Sequence, residues 1–189
     1  MEYTNNPLGA TKAGIRFNHA ANVLRTWWSF HVKWPWVKYR GFIRVGKHTS
    51  FARLHVELGD RVQFGPYCEI AAPVKIGDSV LFGANCHIVG KHDHTTDVPG
   101  QTIWDGERQA NALTVIGNDV WIGNGTIIVS DGLSIGDGAV VGAGSVVTGS
   151  IPPMEVWAGN PARKIRDRFP SPERAAHQGY LDNTFKVKR

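Results

Sequence analysis

The chain has 189 residues, 42% hydrophobic and 20% charged. That fits one main domain with a modest extension and excludes wholesale disorder. No apolar run approaches the ~18 residues of a membrane span, Met1-Glu2-Tyr3-Thr4 does not open a signal peptide, and two cysteines make no secreted disulfide framework, so the cytoplasm is the expected address. The net charge of +5 comes from 21 scattered Lys and Arg, which suits an anionic ligand or surface but lacks the focused basic stripe of a nucleic-acid binder.

Residues 1–44 carry no repeat. They hold Trp27, Trp28, Phe30, Trp34, Trp36, Tyr39 and Phe42 interleaved with Lys33, Lys38 and Arg40. Two uses compete for this segment. It can cap an open end of the body that follows, or it can touch a membrane surface peripherally, because Trp and basic residues favour that interface.

From residue 45 to 161 an aliphatic or aromatic residue recurs every six positions, with one step of seven between Ile128 and Ile135: Leu58, Phe64, Ile70, Ile76, Phe82 and Ile88, then Ile116, Ile122, Ile128, Ile135, Val141 and Val147. The pattern extends upstream, less cleanly and one residue out of step, to Val45 and Phe51, and downstream to Pro153. The next residue is often glycine (Gly46, Gly59, Gly65, Gly77, Gly83, Gly117, Gly123, Gly136, Gly142), and the fourth after is small or β-branched, as at Val62, Cys68, Val80, Cys86, Thr126 and Ser145. Such a repeat predicts short strands joined by tight corners, three sides to a coil of about 18 residues, with residue n stacked on residue n+18. Phe64 then lies on Phe82, Ile70 on Ile88, Leu58 on Ile76 and Cys68 on Cys86, the two thiols being packed and reduced.

The phase is interrupted at about residues 90–113, and a loop this long inside a repeat is usually functional or disordered. It opens His92-Asp93-His94, with Asp97 three residues on. An imidazole titrates near neutrality and suits a general base. Beyond the repeat, residues 162–189 predict a helix starting at Ser171-Pro172-Glu173, followed by the basic tail Lys186 to Arg189.

The repeat, together with Ile116-Gly-Asn-Asp-Val-Trp-Ile-Gly-Asn124, Ile135-Gly-Asp-Gly-Ala-Val-Val-Gly-Ala-Gly-Ser-Val-Val-Thr148 and Ala158-Gly-Asn-Pro-Ala-Arg163, resembles the hexapeptide-repeat acyltransferases, in particular those that O-acetylate maltose, other sugars and xenobiotics. The resemblance implies an all-β chain folded as a left-handed parallel β-helix with an excursion loop and short terminal helical segments. It also implies acetyl-CoA as co-substrate, no metal, a small hydroxylated acceptor such as a sugar, and a homotrimer with sites between subunits. The loop segment Asp93 to Gly100 is similar to the family's base-bearing element. On that match His94 is the base, with His92 competing because a one-residue insertion shifts the alignment. Asp93 and Asp97 then either orient the imidazole or bind acceptor hydroxyls, and Trp104 is a candidate acceptor contact. Gly123, Asn124, Gly142, Ala143 and Thr148 would line the pantetheine arm, and Arg163 and Arg166 would meet the nucleotide phosphates. Gly149 replaces a customary Lys and removes one phosphate contact. Trp121 reads as a coil-edge packing residue. Two other readings of the same helix, a zinc enzyme of the γ-type carbonic anhydrase kind and a scaffold without activity, need respectively three histidines from neighbouring coils and neither the loop nor the coenzyme edge. No histidine lies between His94 and His177.

Overall fold

The computed structural model describes residues 12–186. The chain start inspected for a signal peptide and the last residues of the basic tail, 187–189, lie outside them. The body is a parallel β-helix with three flat faces. The first face stacks Lys38–Tyr39, Val56–Leu58, Val74–Ile76, Thr114–Ile116 and Ser134–Ile135. The second stacks Ile43–Val45, Val62–Phe64, Leu81–Phe82, Trp121–Ile122 and Val140–Val141, ending in Glu155–Gly159 and Ala162–Asp167. The third stacks Ser50–Phe51, Glu69–Ile70, His87–Gly90, Ile127–Ser130 and Val146–Val147.

The expected stacking is met in the register. Leu58 pairs with Ile76, Phe64 with Phe82 and Ile70 with Ile88, and the Phe64 and Phe82 rings stack with centroids 4.8 Å apart. Every repeat aliphatic from Leu58 to Val147 is buried, as are the small residues four places on. No coil covers its own inner face, so burial comes from the coil above and below. Each large side chain in this column contributes roughly 1.5–3 kcal/mol by leaving water. The repeat misleads at its C-terminal end. Ile151, not Pro153, takes the inward place, bridging to Ile135, because the last coil is shorter; Pro153 instead packs over Gly136.

One corner column shows why Gly-Asp and Gly-Asn recur. Asp60 Oδ1 accepts from the Phe42 N–H at 2.9 Å, Asp78 Oδ1 from the Asp60 N–H at 2.7 Å, Asn118 Oδ1 from the Asp78 N–H at 2.9 Å and Asp137 Oδ1 from the Asn118 N–H at 2.6 Å. Each side chain satisfies a backbone donor one coil away that the turn leaves orphaned. The preceding glycine lets the coils approach: a Cβ on Gly59 would stand 2.3 Å from Asp78 Oδ1.

Helix α1 (Lys12–Trp28) and a π-turn (Ser29–Lys33) cover the N-terminal end. Phe30 and Trp34 are buried edge-on against Phe51, and the Thr26 hydroxyl donates to the Ile43 carbonyl. The capping use of this segment is therefore real for Phe30, Trp34 and Val37. At the other end the Glu155–Gly159 strand turns back antiparallel into Ala162–Asp167, a hairpin that the six-residue period does not signal. Helix α2 then runs Ser171–Lys186.

Candidate active site

Coil partners are 18 residues apart before the interruption and 40 apart across it (Asp60 to Asp78, then Asp78 to Asn118), so 22 residues leave the coil. They leave at the edge after the third face, where Ile88 pairs with Ile128 and Gly90 with Ser130. The exit is tied at its base. Asn111 Oδ1 accepts from the N–H groups of Lys91 (2.9 Å) and His92 (3.1 Å), and buried Thr114 and Ser130 share a hydroxyl hydrogen bond of 2.7 Å. Farther out the two loop strands meet where the Thr95 N–H and hydroxyl donate to the Glu107 carbonyl. A 3-10 turn at Ile103–Asp105 forms the tip.

The two histidines are placed differently. His92 Nε2 lies 3.1 Å from Asp131 Oδ2, and Lys91 Nζ reaches the same oxygen at 3.2 Å. Hydrogen bonds from His92 and then Lys91 hold the Asp131 carboxyl below its ordinary value. His92 is thereby committed to the loop base. His94 is half-buried, and its Nδ1 is buried without a hydrogen-bond partner. An unsatisfied buried ring nitrogen is costly and calls for a partner. Asp93 and Asp97 are exposed on the same loop. Trp104, at the tip, is 90% exposed.

The residues expected to bind the coenzyme divide between edges. Gly123, Asn124, Gly142 and Ala143 stand together on the edge between the second and third faces, since Ile122 pairs with Val141. Arg163 joins them: its register partner is Ala158, whose Cβ would lie 2.8 Å from a side chain on Gly142. Coil stacking alone already accounts for the glycines, because a Cβ on Gly123 would meet the Ala143 nitrogen at 2.5 Å. Asn124 has a structural task too, its Oδ1 accepting from the Ala84 N–H at 2.9 Å. Ala143 and Gly144 are exposed, and nothing lies within 4 Å of where a Gly144 side chain would begin. Thr148 sits one edge away, beside the loop exit, because Ile128 pairs with Val147. Arg166 is also apart. It borders a groove of about 400 Å³ on the second face with Leu81, Trp121, Val140, Val156 and Arg168. Trp121 is thus not packed at a coil edge; it lines this groove at 57% exposure.

Beside that groove the spacing alone did not anticipate a further cluster. Asp119 Oδ2 accepts from Arg168 Nη1 at 2.7 Å and lies 2.9 Å from His177 Nε2, which brings α2 back to the coil. Asp131 was equally hidden until the 40-residue register across the loop was known. The thiols behave as expected: Cys68 and Cys86 are free and buried, donating to the Gly83 and Gly123 carbonyls at 3.1 and 3.2 Å. The hydrogen bond that the Cys86 thiol gives to Cys68, with burial, pushes the Cys86 thiol up, so it is no nucleophile at neutral pH. Among the described residues no group of three or more His, Cys, Asp or Glu side chains is placed to hold a metal ion.

Comparison with known proteins agrees with this architecture. The model for the bacterial transferase hexapeptide (six repeats) matches residues 55–90, and that for the hexapeptide repeat of succinyl-transferase matches residues 114–149. Among solved structures, a maltose O-acetyltransferase from Clostridium difficile 630 is 30% identical over 71% of this chain and 67% of its own, with a TM-score of 0.48. A hexapeptide-repeat containing acetyltransferase from Vibrio cholerae is 30% identical over 71% and 72%, with a TM-score of 0.44. AntD, an N-acyltransferase from Bacillus cereus solved with dTDP and 3-hydroxybutyryl-CoA, is 16% identical over 79% and 81%, and its TM-score of 0.60 shows the shared fold. No curated protein sequence matches the chain.

Proposed function

The chain belongs to the hexapeptide-repeat acyltransferases, and we propose that it is an acetyl-CoA-dependent O-acetyltransferase of a saccharide or other small hydroxylated acceptor, acting in the cytoplasm and serving polysaccharide assembly. The observation that carries this reading is His94, whose Nδ1 is buried without a partner on a loop held firmly at its base. His94 takes the proton from the acceptor hydroxyl as that oxygen attacks the thioester carbonyl. The carbon–sulfur bond then breaks, and His94 returns the proton to the leaving thiolate. A general base of this kind contributes about 10²–10⁴ in rate. Backbone N–H groups along the exposed corner would hold the oxyanion. No acyl-enzyme forms, in keeping with two buried thiols.

The pantetheine arm would run along the edge of Asn124, Ala143 and Gly144 with Arg163 beside it, whereas Thr148 and Arg166 of the same chain lie off that edge. Within one chain that edge and the loop stand at opposite sides of the third face, with Ile127 and Val146 between them. A single chain therefore separates the base from the coenzyme edge. A homotrimer, in which the loop of one chain faces the edge of the next, closes the gap. The test is incubation with acetyl-CoA and a panel of sugars, amino sugars and other alcohols, reading free thiol and product mass. Thiol release coupled to a mass gain of one acetyl group on a hydroxyl is the expected result. Acetylation confined to amino groups would reassign the acceptor, and no transfer to any member would remove the proposal.

A further inference from the structure

Helix α1 and the π-turn that continues it have two sides. Thr26, Ser29 and Phe30 are turned into the coil, whereas Val23, Leu24, Trp27, Trp28 and Val32 stand 45–70% exposed. Leu24, Trp27, Trp28 and His31 follow helical spacing along one stripe, and the Trp27 and His31 rings stack at 4.9 Å. Capping the coil accounts for the first side and leaves the second without a task. The charge around it is extreme. Residues 12–56 contain nine Lys and Arg and no Asp or Glu, while residues 57–189 contain 12 Lys and Arg against 15 Asp and Glu. Arg25, Lys33, Lys47 and Arg53 of this end are exposed. The positive charge of the whole chain is thus concentrated at the end that carries the outward tryptophans.

We infer that this end is a docking surface for an anionic lipid bilayer, with Trp27, Trp28 and Leu24 entering the headgroup boundary and the surrounding lysines and arginines meeting lipid phosphates. Tryptophan rings settle at that depth, each basic residue near an anionic surface adds attraction, and a helix with one apolar stripe lies in the interface plane. A second copy of the chain does not fit, since pairing this surface with itself opposes like charges across an apolar contact. Docking would hold the proposed transferase beside an acceptor assembled at a membrane, but the binding stands independently of that activity.

The test is co-sedimentation of the full chain with vesicles of phosphatidylcholine alone or with one quarter phosphatidylglycerol, alongside tryptophan fluorescence. Binding to the anionic vesicles with a blue shift is expected, together with little binding to neutral ones and a loss at high salt. Trp27→Ser with Trp28→Ser should lower partitioning about tenfold or more without moving the unfolding temperature or acetyl transfer. Arg25→Gln with Lys33→Gln should lower it selectively for the anionic vesicles. Absence of binding to anionic vesicles, or binding indifferent to both pairs, overturns the proposal. A change in oligomeric mass in the tryptophan pair assigns the stripe to contacts between copies instead. Equal binding to polyglutamate, undiminished in that pair, assigns the basic surface to an acidic protein.

Discussion

Two edges of the same prism are built from the same six-residue unit and finished in opposite ways. At the edge after the first face, Asp60, Asp78, Asn118 and Asp137 each accept a hydrogen bond from a backbone N–H one coil away, so every turn is closed by the coil beside it. At the edge after the third face the column is opened, and 22 residues leave and return through Asn111. Among the described residues, the first edge leaves no buried side-chain nitrogen or oxygen without a partner. The second leaves a buried imidazole nitrogen, on His94, without a partner. Backbone donors are satisfied where side chains repeat, and the proposed base stands where the repeat gives way.

The largest effect expected from this contrast is at His94. His94→Asn should lower turnover by about 10²–10⁴ with coenzyme affinity and unfolding temperature nearly unchanged, checked by steady-state kinetics, calorimetry and thermal melts. His92→Asn should be milder in turnover but should loosen the loop, because it breaks the tie to Asp131. The reverse ranking would move the base by two residues. Next comes the closed edge. Asp78→Ala removes the acceptor of the Asp60 N–H and the partner of Arg40. It should cost about 1–3 kcal/mol in denaturant unfolding, with no change in acetyl transfer per folded molecule.

A smaller effect falls on the corner between these edges. Ala143→Trp should weaken acetyl-CoA binding about tenfold or more, as a bulky side chain blocks approach to the backbone, while the fold survives because Ala143 is exposed; titration calorimetry reads it directly. The smallest concerns the terminal hairpin. Burial raises the Glu155 carboxyl, but hydrogen bonds from Lys164 and Trp157 outweigh it and hold the group below its ordinary value. Its stabilisation is therefore present above the unfolded value of 4.5 and lost as pH falls through the lowered folded value. Glu155→Gln should cost up to about 1 kcal/mol at neutral pH, and the difference from wild type should vanish in acid.

The coil could be read from the chain because its interactions are periodic. Phe64 and Phe82, or Ile70 and Ile88, announce each other at a fixed separation, and the glycines mark the corners. The Asx ladder lay in the same phase and follows from Gly-Asp once the coil is known. Asp131 could not be paired with His92 in advance, since their separation of 39 depends on an insertion whose length the repeat does not encode. Asp119 with Arg168 and His177 joins residues 49 and 58 apart through a helix outside the repeat. The sequence reads Trp121 as a coil-edge packing residue, but on a two-residue strand its neighbour Ile122 takes the inward place and turns it out. The N-terminal aromatic residues split in a similar way, Phe30 and Trp34 turning inward and Trp27 and Trp28 outward.

The central claim is that base and coenzyme edge come from different chains. It is tested most directly by mixing two impaired variants, His94→Asn and Ala143→Trp, after unfolding and reassembly together, with the assay run at an acetyl-CoA concentration too low to fill the Ala143→Trp edge. The loop of an Ala143→Trp chain then meets the intact edge of a His94→Asn chain at about one interface in four under random assortment, so the account predicts recovery of up to roughly a quarter of wild-type turnover. Activity that stays at the level of the separate variants, in reassembled oligomers of normal mass, would contradict it.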